Sequence, residues 1–226
     1  MFASTLTAAL STGQRASVGP TDLGLLASPQ LTTRSHSCGT SVTVRPAGPN
    51  DAEMLQTYVR ELSASARYNR FLAPVRELPP VELARATEMN GPSRGTLIAE
   101  IVSLRPVIVG ELRYAVLSSA ACEFAISVAD NWRRKGLGTL LLNRLQCGVR
   151  PLGVETLVGD VLRTNEAMLA FAHDAGFGIA ARSCDPRTVR IVKNISDPPG
   201  GVSHDEFMGV PKVADSGPAR SHDPSA

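Results

Sequence analysis

The chain has 226 residues, 43% of them hydrophobic and 19% charged, with a formal net charge of +2 at neutral pH. That length can bury one sizeable core, so a single domain of about 150 residues with flanking segments is the economical organisation. The balanced charge gives no reason to expect nucleic-acid or membrane-surface binding, and no apolar run approaches the roughly 20 residues that span a bilayer.

Residues 1–40 are rich in Ser, Thr, Ala and Gly and keep neither a period-2 nor a sustained helical pattern, so they read as a disordered extension. A transit peptide shares this bias, but arginine far outnumbers lysine along the whole chain, as in high-GC bacterial genomes, which favours the extension. Ser41 to Arg45 alternates as a first strand. Asn50 or Asp51 can cap a helix in which Met54, Leu55, Tyr58, Val59 and Leu62 keep helical spacing. Pro79-Pro80 opens a second helix through Leu83 and Met89. Thr96 to Leu104 and Val107 to Val116 predict a hairpin around Arg105-Pro106, with Gly110 marking a bulge. Strands are predicted at Glu123 to Val128, Val154 to Leu162 and Arg187 to Ile195, with helices at Gly138 to Val149 and Asn165 to Ala175 between them. From 196 to 226 the prolines and glycines, among them Pro198-Pro199-Gly200-Gly201, cannot sustain a regular element, which leaves 41–195 as the folded domain and a disordered tail.

Four cysteines, Cys38, Cys122, Cys147 and Cys184, form no C-x-x-C pair, and the histidines His36, His173, His204 and His222 form no cluster at ligand spacing. Neither a metal site nor a disulfide framework is expected, and a reduced, cytoplasmic setting is.

The most informative string is Arg133-Arg134-Lys135-Gly136-Leu137-Gly138, between an apolar strand and a leucine-rich helix. A strand that turns through glycine into a helix leaves the first helical N–H groups without partners, and the helix dipole adds partial positive charge there. Gly136 and Gly138 let the backbone approach an anion, and Arg133, Arg134 and Lys135 add full charges, so a phosphorylated ligand is expected. The bland alternative is an ordinary basic helix start. The string matches neither a nucleotide P-loop nor the glycine fingerprint of a dinucleotide fold.

It does read R-x-x-G-x-G, and in this it resembles the acetyl-CoA loop of the GNAT superfamily of amine acetyltransferases. Cys122 to Val128, ending at Asp130-Asn131-Trp132, resembles that family's fourth strand, and Leu157 to Leu162 its fifth. Asn165-Glu166-Ala167-Met168, closed by Ala175-Gly176-Phe177, is similar to the helix that follows. The resemblance implies an α/β (α+β) fold: a mixed, mainly antiparallel sheet of about six to seven strands with flanking helices. It implies that the fourth and fifth strands splay so that the pantetheine arm of acetyl-CoA pairs with the backbone of Ile126, Ser127 and Val128. Arg133 to Thr139, Leu137 included, would then hold the pyrophosphate, with Thr139 adding a hydroxyl. Asn165 would contact the cofactor arm, unless it merely caps its helix.

Acetyl transfer to an amine needs the nucleophile deprotonated and the leaving thiolate protonated or stabilised. Glu123 has apolar neighbours, and partial burial would raise its pKa towards neutrality and suit it as general base; an exposed strand-end glutamate is the alternative. Glu123-Phe124-Ala125 is similar to the E-F-A strand of bacterial protein-lysine acetyltransferases, in which that glutamate acts as base. Ala66-Arg67-Tyr68-Asn69-Arg70-Phe71 is similar to a second stretch of the same subgroup. Arg67, Tyr68 and Arg70 would line the acceptor site, although Tyr68 and Phe71 suit the core equally. One departure stands out: where many family members keep a tyrosine as general acid, four residues before the final Gly-Phe, this chain has Ala172, with His173 beside it.

The expected activity is therefore acetyl-CoA-dependent transfer to a primary amine, a protein lysine among the candidates. The alternatives are a small-molecule amine or antibiotic as acceptor, or a non-catalytic acyl-CoA-binding module. A homodimer is an allowed assembly.

Overall fold

The structure is a computed structural model that describes residues 33–37, 40–88, 91–101, 105–118, 120–180 and 185–196. The extension through residue 32, Met89 at the expected end of the second helix, Leu104 at the hairpin and the tail from 197 lie outside the described residues.

Strands β1 (Thr33–Ser37), β2 (Thr40–Pro46), β3 (Arg94–Ile101), β4 (Val107–Ser118), β5 (Ala121–Val128), β6 (Thr156–Leu162), β7 (Gly178–Ile179) and β8 (Thr188–Asn194) form one eight-stranded sheet. Its order is β1-β2-β3-β4-β5-β6-β8-β7, and every neighbouring pair is antiparallel except β5 with β6. The sheet is thus mixed and mainly antiparallel, as expected. It exceeds six to seven strands because a short strand was missed at each edge: β1, inside the stretch read as an extension, and the two-residue β7.

Helices α1 (Ala52–Glu61), α2 (Ala64–Phe71) and α3 (Pro80–Thr87) belong to one face of the sheet, and α4 (Leu137–Val149) and α5 (Glu166–Asp174) to the other. On the first face Leu55, Tyr58, Val59, Leu62 and Leu78 pack with Ile98 and Ile108. On the second, Leu141, Leu142 and Leu145 of α4 pack with Leu97, Leu112, Phe124, Leu157 and Ile191. Strand alternation assigns β5 to both layers: Cys122 and Phe124 enter the α4 core, so Glu123, Ala125 and Ser127 turn to the α1–α3 face.

Several local readings change. Asp51 does not cap α1 with its side chain. Its Oδ2 accepts from the Gly48 N–H at 2.8 Å, and its carboxylate receives Arg45 Nη1 at 2.7 Å and Nη2 at 2.8 Å, which ties the helix start to β2. Helix α2 was not foreseen: Ala66 is its one buried residue, and with Arg67, Asn69 and Arg70 in eight residues it is too polar to present an apolar stripe. Ser63 caps it by accepting from Ala66 N–H at 3.2 Å, and Leu72 ends it in the left-handed conformation. In the β3–β4 hairpin Ala99 faces Gly110 while Glu100 faces Ile108, so the extra residue of the bulge is Val109, one position from the glycine expected to mark it.

Candidate active site

Strands β5 and β6 share three rungs, Ala121 with Thr156, Cys122 with Leu157 and Glu123 with Val158, and then their pairing stops. On its other edge β5 stays paired to β4 as far as Val128. The main-chain groups of residues 124–128 that face β6 therefore have no strand partner, which is the splay expected from the sequence. A cleft of about 900 Å³ opens there, within the range of roughly 300–1,000 Å³ usual for cofactor sites. Phe124 to Val128 and Gly159 to Val161 form two of its walls, and the segment from Arg133 to Thr139 closes one end.

That segment is shaped by backbone conformation. Arg134 and Gly136 are left-handed, with φ of 57° and 79°. Leu140 N–H is bonded to Gly136 O at 3.0 Å, so the N–H groups of Leu137, Gly138 and Thr139 precede the first helical bond and have no intrahelical acceptor. A Cβ on Gly136 would have nothing within 4 Å. Its glycine answers the turn, and the space before the amides is open. Gly138 has a different reason: a Cβ there would sit 3.2 Å from the Phe171 ring of α5, so this glycine also serves helix packing. The Leu137 side chain is buried, leaving its main chain for a ligand.

The basic residues are not equivalent. Arg133 Nη2 lies 2.8 Å from Asp130 Oδ1, and Asp130 also accepts from Ser63 N–H and Oγ at 2.9 Å each, so Arg133 helps join this loop to the start of α2. Lys135 Nζ stands 4.5 Å over the Trp132 ring. Arg134 and Thr139 are exposed on the lip of the cleft. Unpaired helix-start amides, an open approach and cationic side chains together fit a diphosphate. Asn165 borders the cleft but accepts from Met168 N–H at 3.3 Å, so it does cap α5.

Glu123, on the last shared rung, is 3% exposed. Its Oε1 accepts from Arg190 Nη2 at 3.2 Å, while Oε2 is buried without a hydrogen-bond partner. Burial pushes this carboxyl up to about 7; Arg190 pulls it down and the charge of Asp160 adds to the rise. Glu123 does not itself border the cleft, whereas its neighbours Phe124 and Ala125 and the facing Asp160 do. Both oxygens of Asp160 are engaged by Arg190, Nε to Oδ1 at 3.0 Å and Nη2 to Oδ2 at 2.8 Å.

Of the three residues expected at the acceptor side, only Arg70 reaches the cleft, together with Ala66 and Asn69. Arg67 turns back and donates from Nη1 to the carbonyls of Arg60, at 2.9 Å, and Leu62, at the end of α1. Tyr68 is 38% exposed, its hydroxyl 3.4 Å from Arg187 Nη1. Arg70 is held from below: its Nε lies 3.0 Å from Oε1 of the fully buried Glu111, whose Oε2 accepts from Arg113 Nε at 3.0 Å. Ser127 Oγ joins this network, 3.0 Å from the Tyr58 hydroxyl and 3.5 Å from Glu111 Oε1. Burial works to raise the Glu111 carboxyl, but the guanidiniums of Arg113 and Arg70 more than offset it and hold it below the usual range.

Sequence reading missed Asp160, Arg190, Glu111 and Asn69. A signal existed for two of them, because Asp160 and Glu111 are lone acids inside apolar strand runs, where a charge needs a partner. Ala172 belongs to the core, and the neighbouring His173 is exposed, its Nδ1 3.5 Å from Asp174, so it does not stand in for the missing tyrosine. Among the described residues there is no group of three or more His, Cys, Asp or Glu that could hold a metal, and no helix long and apolar enough to cross a membrane.

Comparison with known proteins agrees with this geometry. The profile described as the acetyltransferase (GNAT) family matches residues 57–177. The acetyltransferase PA5475 of Pseudomonas aeruginosa is 28% identical over 154 residues, covering 66% of this chain and 81% of that protein. Among solved structures, the GNAT domain of S. lividans PAT superposes with a TM-score of 0.68 at 24% identity, over 74% of this chain and 98% of that one. The protein yncA of Salmonella typhimurium, solved with its cofactor acetyl-CoA, superposes with a TM-score of 0.52 at 18% identity, over 72% and 98% of the two chains.

Proposed function

The chain belongs to the acetyltransferase (GNAT) family, and from that premise we propose that it transfers an acetyl group from acetyl-CoA to a primary amine, with Glu123 as general base. One observation carries the reading: the parting of β5 from β6 directly after Glu123 opens a slot whose far end is the ring of unpaired amides at Leu137 to Thr139.

Acetyl-CoA supplies an activated acyl thioester. The main-chain N–H groups of Leu137, Gly138 and Thr139, with Arg134 and Lys135, hold its pyrophosphate, and Arg133 orders the loop through Asp130. Ile126, Ser127 and Val128 offer unpaired backbone to its arm. An incoming ammonium has no lone pair, so a base must take its proton. Asp160 is poorly suited because both its oxygens are bound to Arg190. Glu123 keeps one oxygen without a partner and a carboxyl poised at about 7, the range a base needs near neutral pH. Because Glu123 sits one layer behind the wall, a single water between it and the cleft relays the proton. Ala172 has no proton to give to the departing sulfur, so solvent provides it.

The acceptor we propose is a lysine side chain of a protein. The Glu123-Phe124-Ala125 strand and the Ala66 to Phe71 stretch support this, the latter through Ala66, Asn69 and Arg70, which line the cleft. The test is acetylation of lysine peptides against a panel of small amines, with the Glu123→Gln variant in parallel. Glu123→Gln is expected to lower turnover by about 100-fold or more while leaving acetyl-CoA affinity nearly unchanged, the usual scale for losing a general base. Equal rates at neutral pH would reject that role. Acetylation of small amines alone would reject the lysine acceptor, and acetyl-CoA binding with no amine acetylated would indicate a non-catalytic acyl-CoA-binding module.

A further inference from the structure

We propose that Arg190 and Asp160 form a positioning pair that aims the Glu123 carboxyl and sets the pH at which it accepts a proton. This rests on the reading of Glu123 as base and assigns a job to two residues that the reaction itself leaves unused.

The geometry starts from register. Asp160 and Arg190 are directly opposed on β6 and β8, and Glu123 is paired with Val158, two residues before Asp160, so all three side chains share one face. Two nitrogens of the Arg190 fork grip the two oxygens of Asp160, which fixes the guanidinium plane. Nη2, already bound to Asp160, reaches Glu123 Oε1 as well. A fixed donor on one oxygen sets the rotation of the whole carboxyl, and it is the other oxygen, Oε2, that is left without a protein partner. A second carboxylate bound to the same guanidinium weakens the pull that Arg190 exerts on Glu123, so the pair works as a graded counter-charge rather than a full one.

Among the described residues, the charged groups around Glu123 are few. From β8 there is Arg190 and from β6 Asp160. On β4, Ala115 is opposite Glu123, and the next side chain on that face, Arg113, is bound to Glu111. From α2, Arg70 is also committed to Glu111, and Tyr68 is bonded to Arg187, which pairs with Asp185.

The signs follow. The base works when deprotonated, so turnover rises with pH through the Glu123 titration. Without the Arg190 charge the proton stays on to higher pH; without the Asp160 charge it leaves at lower pH. Arg190→Met should move the acid limb of the kcat profile up by about one pH unit, lowering turnover at pH 7 by up to about tenfold and converging on the parent at high pH. Asp160→Asn should move the limb down. Arg190→Lys, which keeps the charge but loses the fork, should leave the limb near its parental position and lower the plateau instead.

The experiment is kcat against pH for these three variants and Glu123→Gln. NMR titration of the ¹³C-labelled Glu123 carboxyl in the ligand-free protein gives a readout that needs no turnover. Opposite displacements in Arg190→Met and Asp160→Asn support the pair. Glu123 titrating at the parental pH in both variants overturns it, and should Arg190→Met fail to fold, the downward displacement in Asp160→Asn decides alone. Parental turnover in Glu123→Gln would overturn the base assignment, while the NMR titration would still judge the pair.

Discussion

Replacing Gly136 by alanine separates the loop's conformation from its use. Gly136 is left-handed at φ 79° and ψ −1°, a region in which a Cβ costs roughly 1–2 kcal/mol. With nothing within 4 Å of that Cβ, no clash adds to the strain, so the variant should fold, its Tm lowered by about 2–4 °C per kcal/mol in a domain of this size. Gly136 lines the same cleft as Leu137, Gly138 and Thr139, whose amides are assigned to the pyrophosphate. A methyl group there should keep a phosphate oxygen from at least one N–H, and a hydrogen bond to a charged group is worth about 1.5–3 kcal/mol, or about 10- to 150-fold in affinity. Gly153, left-handed at φ 78° after α4 and outside the cleft, provides the control. Gly153→Ala should lose similar stability and no affinity. Calorimetric titration with acetyl-CoA alongside thermal unfolding of both variants makes the comparison. If Gly136→Ala binds acetyl-CoA within about twofold of the parent, the amides do not hold the pyrophosphate and the assignment of this loop is wrong.

Two further outcomes concern the scaffold. Glu111→Ala leaves Arg70 and Arg113 without their common counter-charge in the interior and should lower stability by about 3–5 kcal/mol, measured by urea unfolding. Since Glu111 is held below the ordinary carboxylate range, its contribution is complete above the unfolded-state value and fades as pH falls through the lowered folded one. The parent should therefore lose stability on the acid side more steeply than Glu111→Gln. Restoring the family's tyrosine with Ala172→Tyr should not raise turnover: residue 172 is 2% exposed in the core, and a large side chain there should cost about 1–3 kcal/mol by overpacking. A gain in rate would show that this helix face can turn to the cleft.

Legibility tracked the range of the interactions. Strand β5, helix α4 and the loop between them could be read because their signals are local: alternation, a glycine turn, a leucine stripe. Helix α2 could not, since eight mostly polar residues with one buried side chain present no apolar stripe; what holds it is Asp130, 67 residues away, bonded to Ser63. Arg67 and Arg70 looked alike in sequence. One caps α1 and the other is drawn inward by Glu111, a distinction set by a strand more than forty residues later. Gly138 was legible as a glycine of the phosphate loop but not as the contact for Phe171, which depends on how α4 and α5 cross. Arg190 gave no local signal, because its partners lie 30 and 67 residues away.

Both halves of the proposed chemistry trace to one parting of strands. At the rung after Glu123, β6 carries Gly159, where a Cβ would stand 3.2 Å from the Phe124 carbonyl, so glycine lets the two backbones stay close at the point from which they diverge. Had the pairing run four rungs further, Ile126 and Ser127 would have bonded β6 and offered nothing to a ligand. Had it stopped two rungs earlier, Glu123 would have faced an open edge, and hydration would have returned its carboxyl towards the ordinary range. The last shared rung is where a carboxyl can be shielded by a continuous sheet and still lie directly behind the wall of a slot. That coupling means that Gly159→Val, by pushing the strands apart, should weaken acetyl-CoA binding and lower the Glu123 titration together, and a change in only one of them would show that the two functions are built separately.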